Sequence, residues 1–123
     1  MVKLYLCVAA SGLALIALSY GLAPATFLPL VVDIPVTTID AKHVFRAMMG
    51  LYLGMASFWG LAIYSPQFSR AAVISAICFM LGLACGRMLS LLVDGVASPL
   101  LLVYLGLEVG MAALGVLVLR RIE

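Results

Sequence analysis

Four long apolar segments dominate this sequence, and each has the length of an α-helix that crosses a lipid bilayer. They cover about residues 4–22, 41–64, 68–93 and 99–119. About 20 apolar residues in a helix span a hydrocarbon core. Hydrophobic residues make up 67% of the chain and charged residues 10%, which excludes an ordinary soluble domain. We predict an all-α fold, an integral membrane four-helix bundle, with one transmembrane domain over residues 1–123.

The first segment also has features of a secretory signal peptide. Lys3 precedes its apolar run, and the stretch LAPA at residues 22–25 offers small residues for cleavage. Because the chain retains Met1, we expect an uncleaved membrane-spanning helix instead.

Basic residues predict the orientation of the bundle. One side of the membrane would carry Lys3, Arg70, Arg120 and Arg121. The other side would carry Lys42, and Arg46 could also be counted on that side. Since positive residues favour the cytoplasmic side, we expect both the N and C termini in the cytoplasm, in agreement with an even number of spans.

One connection is long, and it would lie outside the cytoplasm over residues 23–40. It contains Pro24, Pro29 and Pro35 around the apolar run FLPLVV. This composition favours a segment that lies on the membrane interface. A functional lid over the end of the bundle is the alternative, because loops of this length are sometimes functional.

Pairs of glycines four residues apart occur in three of the four segments. They are Gly50 and Gly54 in GLYLG, Gly82 and Gly86 in GLACG, and Gly106 and Gly110 in GLEVG. Glycines at this spacing share one helix face and let helix backbones approach closely in lipid. We predict that these faces pack helices together, and we favour contacts within one chain over contacts between protomers.

Ionisable residues inside the apolar segments are the strongest candidates for a site. Arg46, Arg87 and Glu108 lie within the segments, and His43 and Asp94 lie near their outer ends. Charges are rare inside bilayers because their burial is costly unless they are paired. From the rise per residue, Glu108 lies near the midplane, Arg87 roughly 7 Å outward and Arg46 roughly 10 Å outward.

Side-chain direction predicts which of these charges meet. Helical side chains lean toward the N-terminus of their helix, so Arg87 leans inward and Glu108, on an antiparallel helix, leans outward. We therefore predict a contact between Arg87 and Glu108 and none between Arg87 and Asp94. Arg46 would lean toward the mouth of the bundle, where Asp94, Asp40, a lipid phosphate or a ligand anion can meet it.

One helix face combines charge and small residues. Arg46, Gly50, Gly54 and Ser57 fall along a single stripe of the second span, and we expect this stripe to face the bundle centre. Tyr104 shares a face with Glu108 and can donate a hydrogen bond to it.

The candidate ligand-binding set is Arg46, Arg87, Glu108, Asp94, His43, Ser90 and Tyr104. The alternative is that these charges only fix the register and orientation of the helices. No catalytic residue, metal site or cofactor is expected, because the sequence lacks CxxC spacing, paired histidines, a phosphate loop and a nucleophile elbow. A dispersed net charge of +2 excludes a nucleic-acid surface.

Three stretches carry a family resemblance: AKHVFRAMMGLYLG, LACGRMLSLLVDG and LLLVYLGLEVGMA. They resemble a bacterial inner-membrane family known as domain of unknown function 4345. The positions that carry the resemblance are Phe45, Arg46, Gly50, Arg87, Ser90, Asp94, Gly95 and Glu108. The resemblance implies a multi-pass four-helix protein of the bacterial inner (plasma) membrane, and it implies no assigned activity.

The leading functional hypothesis is a non-enzymatic accessory or binding subunit. Its polar pocket in the outer leaflet would bind a lipid, an amphiphile or a partner helix, and its partners would be membrane lipid, other membrane subunits or further copies of the chain. One alternative is a small proton-linked carrier or membrane enzyme that uses Glu108, with Arg46 and Arg87 holding an anionic amphiphile. Another is a purely structural assembly factor.

Overall fold

The computed structural model describes residues 1–123, and it consists of helices joined by short connections. The helices are α1 (Val2–Gly21), α2 (Pro24–Val31), α3 (Ile39–Tyr64), α4 (Ser69–Val93) and α5 (Pro99–Ile122), with a single 3-10 turn at Pro66–Phe68. Four of them, α1, α3, α4 and α5, are long and apolar enough to cross a membrane. The predicted all-α membrane fold with four spans is confirmed, and the chain is a multi-pass membrane protein.

The long connection between the first two spans contains the short helix α2. Pro24 occupies its first turn, where the missing N–H of proline leaves no helical hydrogen bond unmade. Pro24 and Leu28 are buried, and α2 contacts both α1 and α3. The connection therefore packs against the ends of these two helices.

The four spans form two antiparallel pairs. Contacts are most extensive between α1 and α3 and between α4 and α5, and they are sparse between the two pairs. The second pair is also joined at one end by an ion pair between Arg70 and Glu123, with 2.6 Å between the Nη2 and Oε1 atoms. This contact brings the start of α4 to the end of α5.

The two pairs are held together at the end of the bundle that carries the chain termini, called here the terminal end. Tyr5 Oη donates to the carbonyl oxygen of Met111 at 2.9 Å, and Trp59 Nε1 donates to Ser75 Oγ at 3.0 Å. The Trp59 side chain is fully buried. These bonds join α1 to α5 and α3 to α4, so apolar burial and buried polar groups close this end together.

The opposite end, called here the loop end, carries α2 and the turn between α4 and α5. Helix α4 has no buried residue after Ala84, and α5 has none before Glu108. The two helix pairs therefore separate toward the loop end and leave space between them.

The prediction that the six spaced glycines pack helices within the chain is wrong. A Cβ atom at Gly50, Gly54, Gly82, Gly86, Gly106 or Gly110 would meet nothing within 4 Å. The close contacts use other small residues, the buried alanines Ala9, Ala17, Ala56, Ala62, Ala72 and Ala76. Alanine serves the same purpose as glycine at these contacts and has a higher helix propensity.

Two other positions have no room for a side chain, and glycine is required there. A Cβ on Gly21 would lie 2.8 Å from Met49 Cγ and closer still to Met49 Cβ. A Cβ on Gly115 would lie 2.7 Å from Ile77 Cγ1. Helices α1 and α3 thus approach closely at Gly21, and α4 and α5 approach closely at Gly115.

The predicted inward stripe of the second span is also wrong. Arg46, Gly50, Gly54 and Ser57 are exposed. The face of α3 that is buried carries instead Tyr52, Ala56, Trp59 and Ala62. In lipid, helices associate through close packing contacts, and the large aromatic side chains of this face make more of these contacts than glycine and serine can.

Candidate functional site

An ion pair between Arg87 of α4 and Glu108 of α5 lies where the two helix pairs begin to separate. Arg87 Nε donates to both carboxylate oxygens of Glu108, at 2.9 Å each. Only 8% of the Glu108 side chain and 22% of the Arg87 side chain are exposed. The predicted contact between these two residues is confirmed.

Asp94 takes a different partner from Arg87, as predicted. It lies at the end of α4, one helical turn beyond Ser90, and its Oδ2 accepts a hydrogen bond of 2.9 Å from Ser90 Oγ. Asp94 and Ser90 are both exposed. Because helical side chains lean toward the N-terminus, Arg87 points away from this carboxylate and toward Glu108.

Arg46 has a partner within the chain that the sequence did not predict. Its Nη1 atom donates to the carbonyl oxygen of Gly21 at 2.9 Å, and neither Asp94 nor Asp40 pairs with it. Carbonyl groups at the C-terminal end of a helix lack partners within the helix and carry a partial negative charge, which favours a cation. Arg46 therefore fastens α3 to the end of α1.

Tyr104 contacts Arg87, and its predicted hydrogen bond to Glu108 is not formed. The Cζ atom of Arg87 lies 5.7 Å from the centre of the Tyr104 ring. The negative face of an aromatic ring attracts a guanidinium group, so the ring supports the charge that Glu108 also balances. Arg87 is thus held by a carboxylate on one side and by an aromatic ring on another.

The structure divides the seven predicted ligand-binding residues into groups. Arg87, Glu108 and Tyr104 meet directly, and Ser90 with Asp94 lies one turn closer to the loop end. Arg46 is tied to α1, and His43 is exposed on α3 without a hydrogen bond or ion pair from its side chain.

A cavity of about 420 Å³ lies between the two helix pairs next to Arg87. Of its 15 lining residues, 11 are hydrophobic. Its lining includes the polar groups of Tyr20, Tyr52, Arg87 and Ser90. Gly82 and Gly86 line the same space, which we call the head cavity. An apolar chamber with a few polar groups at one place is typical of a small-molecule site.

A second, smaller space of about 160 Å³ lies on the other side of Arg87, and we call it the lateral cleft. It is bounded mainly by α1 and α5, and Glu108 lines it but does not line the head cavity. Tyr52, Leu83 and Arg87 line both spaces. Arg87 thus stands at the border between them.

Two tyrosines of this site were missed by the sequence reasoning. Tyr20 and Tyr52 line the head cavity, and their ring centres are 5.9 Å apart. Tyr20 also packs edge to face against Phe45, with 6.0 Å between ring centres. The signal was available, because a buried tyrosine hydroxyl inside an apolar span generally needs a polar neighbour.

The hydrogen-bonding capacity of Arg87 is only partly used by the protein. Its Nε is bonded to Glu108, and the hydroxyl of Tyr20 lies beside the guanidinium group without a well-aligned hydrogen bond from its two terminal amino groups. A guanidinium group carries five N–H donors and no acceptor. The remaining donors can bind oxygen atoms of another molecule.

The chain as a whole has a family match. Neither curated proteins nor solved structures show a significant match to it. The family model described as Domain of unknown function (DUF4345) matches residues 1–119, which confirms the resemblance seen in the sequence. The chain therefore belongs to the DUF4345 family of unknown function.

Proposed function

We propose that this protein is a non-enzymatic membrane subunit that binds a glycerolipid in its head cavity. The terminal amino groups of Arg87 would donate hydrogen bonds to a phosphate or ester oxygen of the lipid. The observation that carries the proposal is the guanidinium group of Arg87, held with donors to spare beside an apolar cavity of about 420 Å³.

The size and lining of the head cavity support this proposal. Pockets for small ligands commonly have about 300–1,000 Å³ and mostly apolar walls with few polar groups. The ion pair with Glu108 and the ring of Tyr104 fix Arg87 in position before a ligand arrives. A donor that is already held in place loses less conformational entropy on binding.

The surroundings favour a lipid as the ligand. The head cavity lies between helices long enough to cross a membrane, and Leu92, Val93 and Val96, which lie in the chain between its lining residues Leu91 and Ala97, are exposed. We propose a bacterial inner membrane with both termini in the cytoplasm, since four basic residues lie toward the terminal end. The head cavity then lies in the outer leaflet.

The test uses a substitution that fills the head cavity and a matched control. Gly86 lines the head cavity, whereas Gly110 lines neither the head cavity nor the lateral cleft, and a Cβ at either position meets nothing within 4 Å. Gly86→Leu is expected to weaken lipid binding about tenfold, equivalent to about 1.4 kcal/mol, and Gly110→Leu to leave it unchanged. Native mass spectrometry of the purified protein with phosphatidylglycerol, phosphatidylethanolamine and diacylglycerol measures both effects.

The lipid panel separates the two kinds of acceptor oxygen. Binding of all three lipids identifies an ester carbonyl as the acceptor, and binding of the two phospholipids alone identifies the phosphate. The proposal is overturned if the unsubstituted protein binds none of them or if Gly86→Leu binds as well as Gly110→Leu. Displacement of a copurified polypeptide by Gly86→Leu, without any effect on lipid, would also overturn it and identify a partner helix.

A further inference from the structure

The lateral cleft between α1 and α5 remains free when the head group of a lipid occupies the head cavity. Its wall is formed on α1 by Val8, Gly12 and Ile16 and on α5 by Leu107 and Met111, among others. We infer that one acyl chain of the bound lipid lies in this cleft, so that Arg87 marks the point where the polar and apolar parts of the ligand meet. This inference rests on the proposed function.

The cleft presents an apolar wall even though a charged pair lines it. Ten of its 13 lining residues are hydrophobic. Its charged side chains, Arg87 and Glu108, are bonded to each other and have opposite charges. The other polar groups of this wall are the hydroxyls of Tyr52 and Tyr104, so most of the wall is apolar and fits a hydrocarbon chain.

The cleft also faces the hydrocarbon region of the membrane. Val8 on one rim is 53% exposed and Leu107 on the other is 57% exposed, and both belong to membrane-spanning helices. Toward the terminal end, the hydrogen bond between Tyr5 and Met111 joins α1 to α5. An acyl chain can therefore enter sideways from the bilayer. A third space of about 300 Å³, lined by Tyr5, Val8 and Met111 among others, continues from the cleft toward the terminal end.

The shared wall connects the cleft to the head cavity. Tyr52, Leu83 and Arg87 belong to both spaces. Along α4, the path runs from Ser90 in the head cavity to Met80 in the cleft, which corresponds to about 15 Å of helix rise. An acyl chain must be long enough to follow this path from the head cavity into the cleft, so affinity is expected to depend on the length of the acyl chain.

The test compares lipids that have the same head group and different chains. Gly12 lines the cleft, and a Cβ there meets nothing within 4 Å, so Gly12→Leu places an apolar side chain in the cleft. We expect the unsubstituted protein to bind dipalmitoyl phosphatidylglycerol more tightly than the dihexanoyl form. Gly12→Leu should weaken binding of the dipalmitoyl form about tenfold and leave the dihexanoyl form unchanged, with Gly110→Leu as the control.

A second variant provides the same test if Gly12→Leu does not fold. Leu107→Trp narrows the same cleft from the rim on α5, where the side chain is already exposed, and the same selective loss is expected. The inference is overturned if both variants bind the two lipids as tightly as the unsubstituted protein does. It is also overturned if both variants weaken the binding of the two lipids by the same factor. If only the inference about the cleft fails, Gly86→Leu still weakens lipid binding. If the proposed function fails, Gly86→Leu has no effect on the binding of either lipid.

Discussion

Glu108→Leu is expected to lower the free energy of unfolding by about 3–5 kcal/mol, the usual cost of removing one partner from a buried ion pair. The substitution leaves the guanidinium group of Arg87 without the carboxylate that accepts from its Nε. A guanidinium group remains charged in proteins, so it cannot escape the cost of burial by losing a proton. Equilibrium unfolding in mixed detergent micelles, followed by circular dichroism, measures this loss.

The double variant provides the control for this prediction. Arg87→Met together with Glu108→Leu removes both charges and leaves apolar side chains of similar size, which commonly restores stability or raises it. We therefore expect the double variant to unfold within about 1 kcal/mol of the unsubstituted protein, with a large coupling energy in the double-mutant cycle. Additive losses from the two single substitutions would show that the pair does not act as a unit.

Gly21→Ala is expected to lower the free energy of unfolding by about 1–3 kcal/mol, the range for overpacking a tight contact. The added Cβ would collide with Met49, including its Cβ atom, which is fixed to the backbone of α3 and cannot rotate away. Helices α1 and α3 would have to separate where Arg46 donates to the Gly21 carbonyl. The same unfolding measurement applies.

The matched control is Gly12→Ala on the same helix. Gly12 has open space around it, so alanine should raise stability by up to about 1 kcal/mol through its higher helix propensity. Opposite signs for the two substitutions are therefore expected. A gain in stability at both positions would contradict the close contact between Gly21 and Met49.

The central contact of the site could be predicted because it follows from local geometry. Arg87 and Glu108 differ in depth by roughly 7 Å on antiparallel helices, and the lean of helical side chains turns them toward each other. The same rule separates Arg87 from Asp94. The partner of Arg46 was not predictable in this way, because it is a backbone carbonyl at the end of α1, and its availability depends on how α1 and α3 pack.

The spaced glycines show what a sequence pattern cannot predict about helix packing. Glycine spacing identifies surfaces that two helices can share, but it does not say which of several small-residue surfaces is used. In this chain the contacts are made at alanines and at Gly21 and Gly115, whereas Gly82 and Gly86 line the head cavity. The cavity itself arises from the sparse contact between two helix pairs, which no local pattern encodes.

Lipid binding by the variant Arg87→Met with Glu108→Leu tests the account most directly. It removes the guanidinium donors from the head cavity and leaves no charge of the pair unbalanced. We predict a folded protein whose affinity for the lipids that the unsubstituted protein binds falls at least about tenfold in native mass spectrometry. Unchanged lipid affinity in the folded double variant would contradict a head-group site at Arg87 and leave the ion pair a structural role alone.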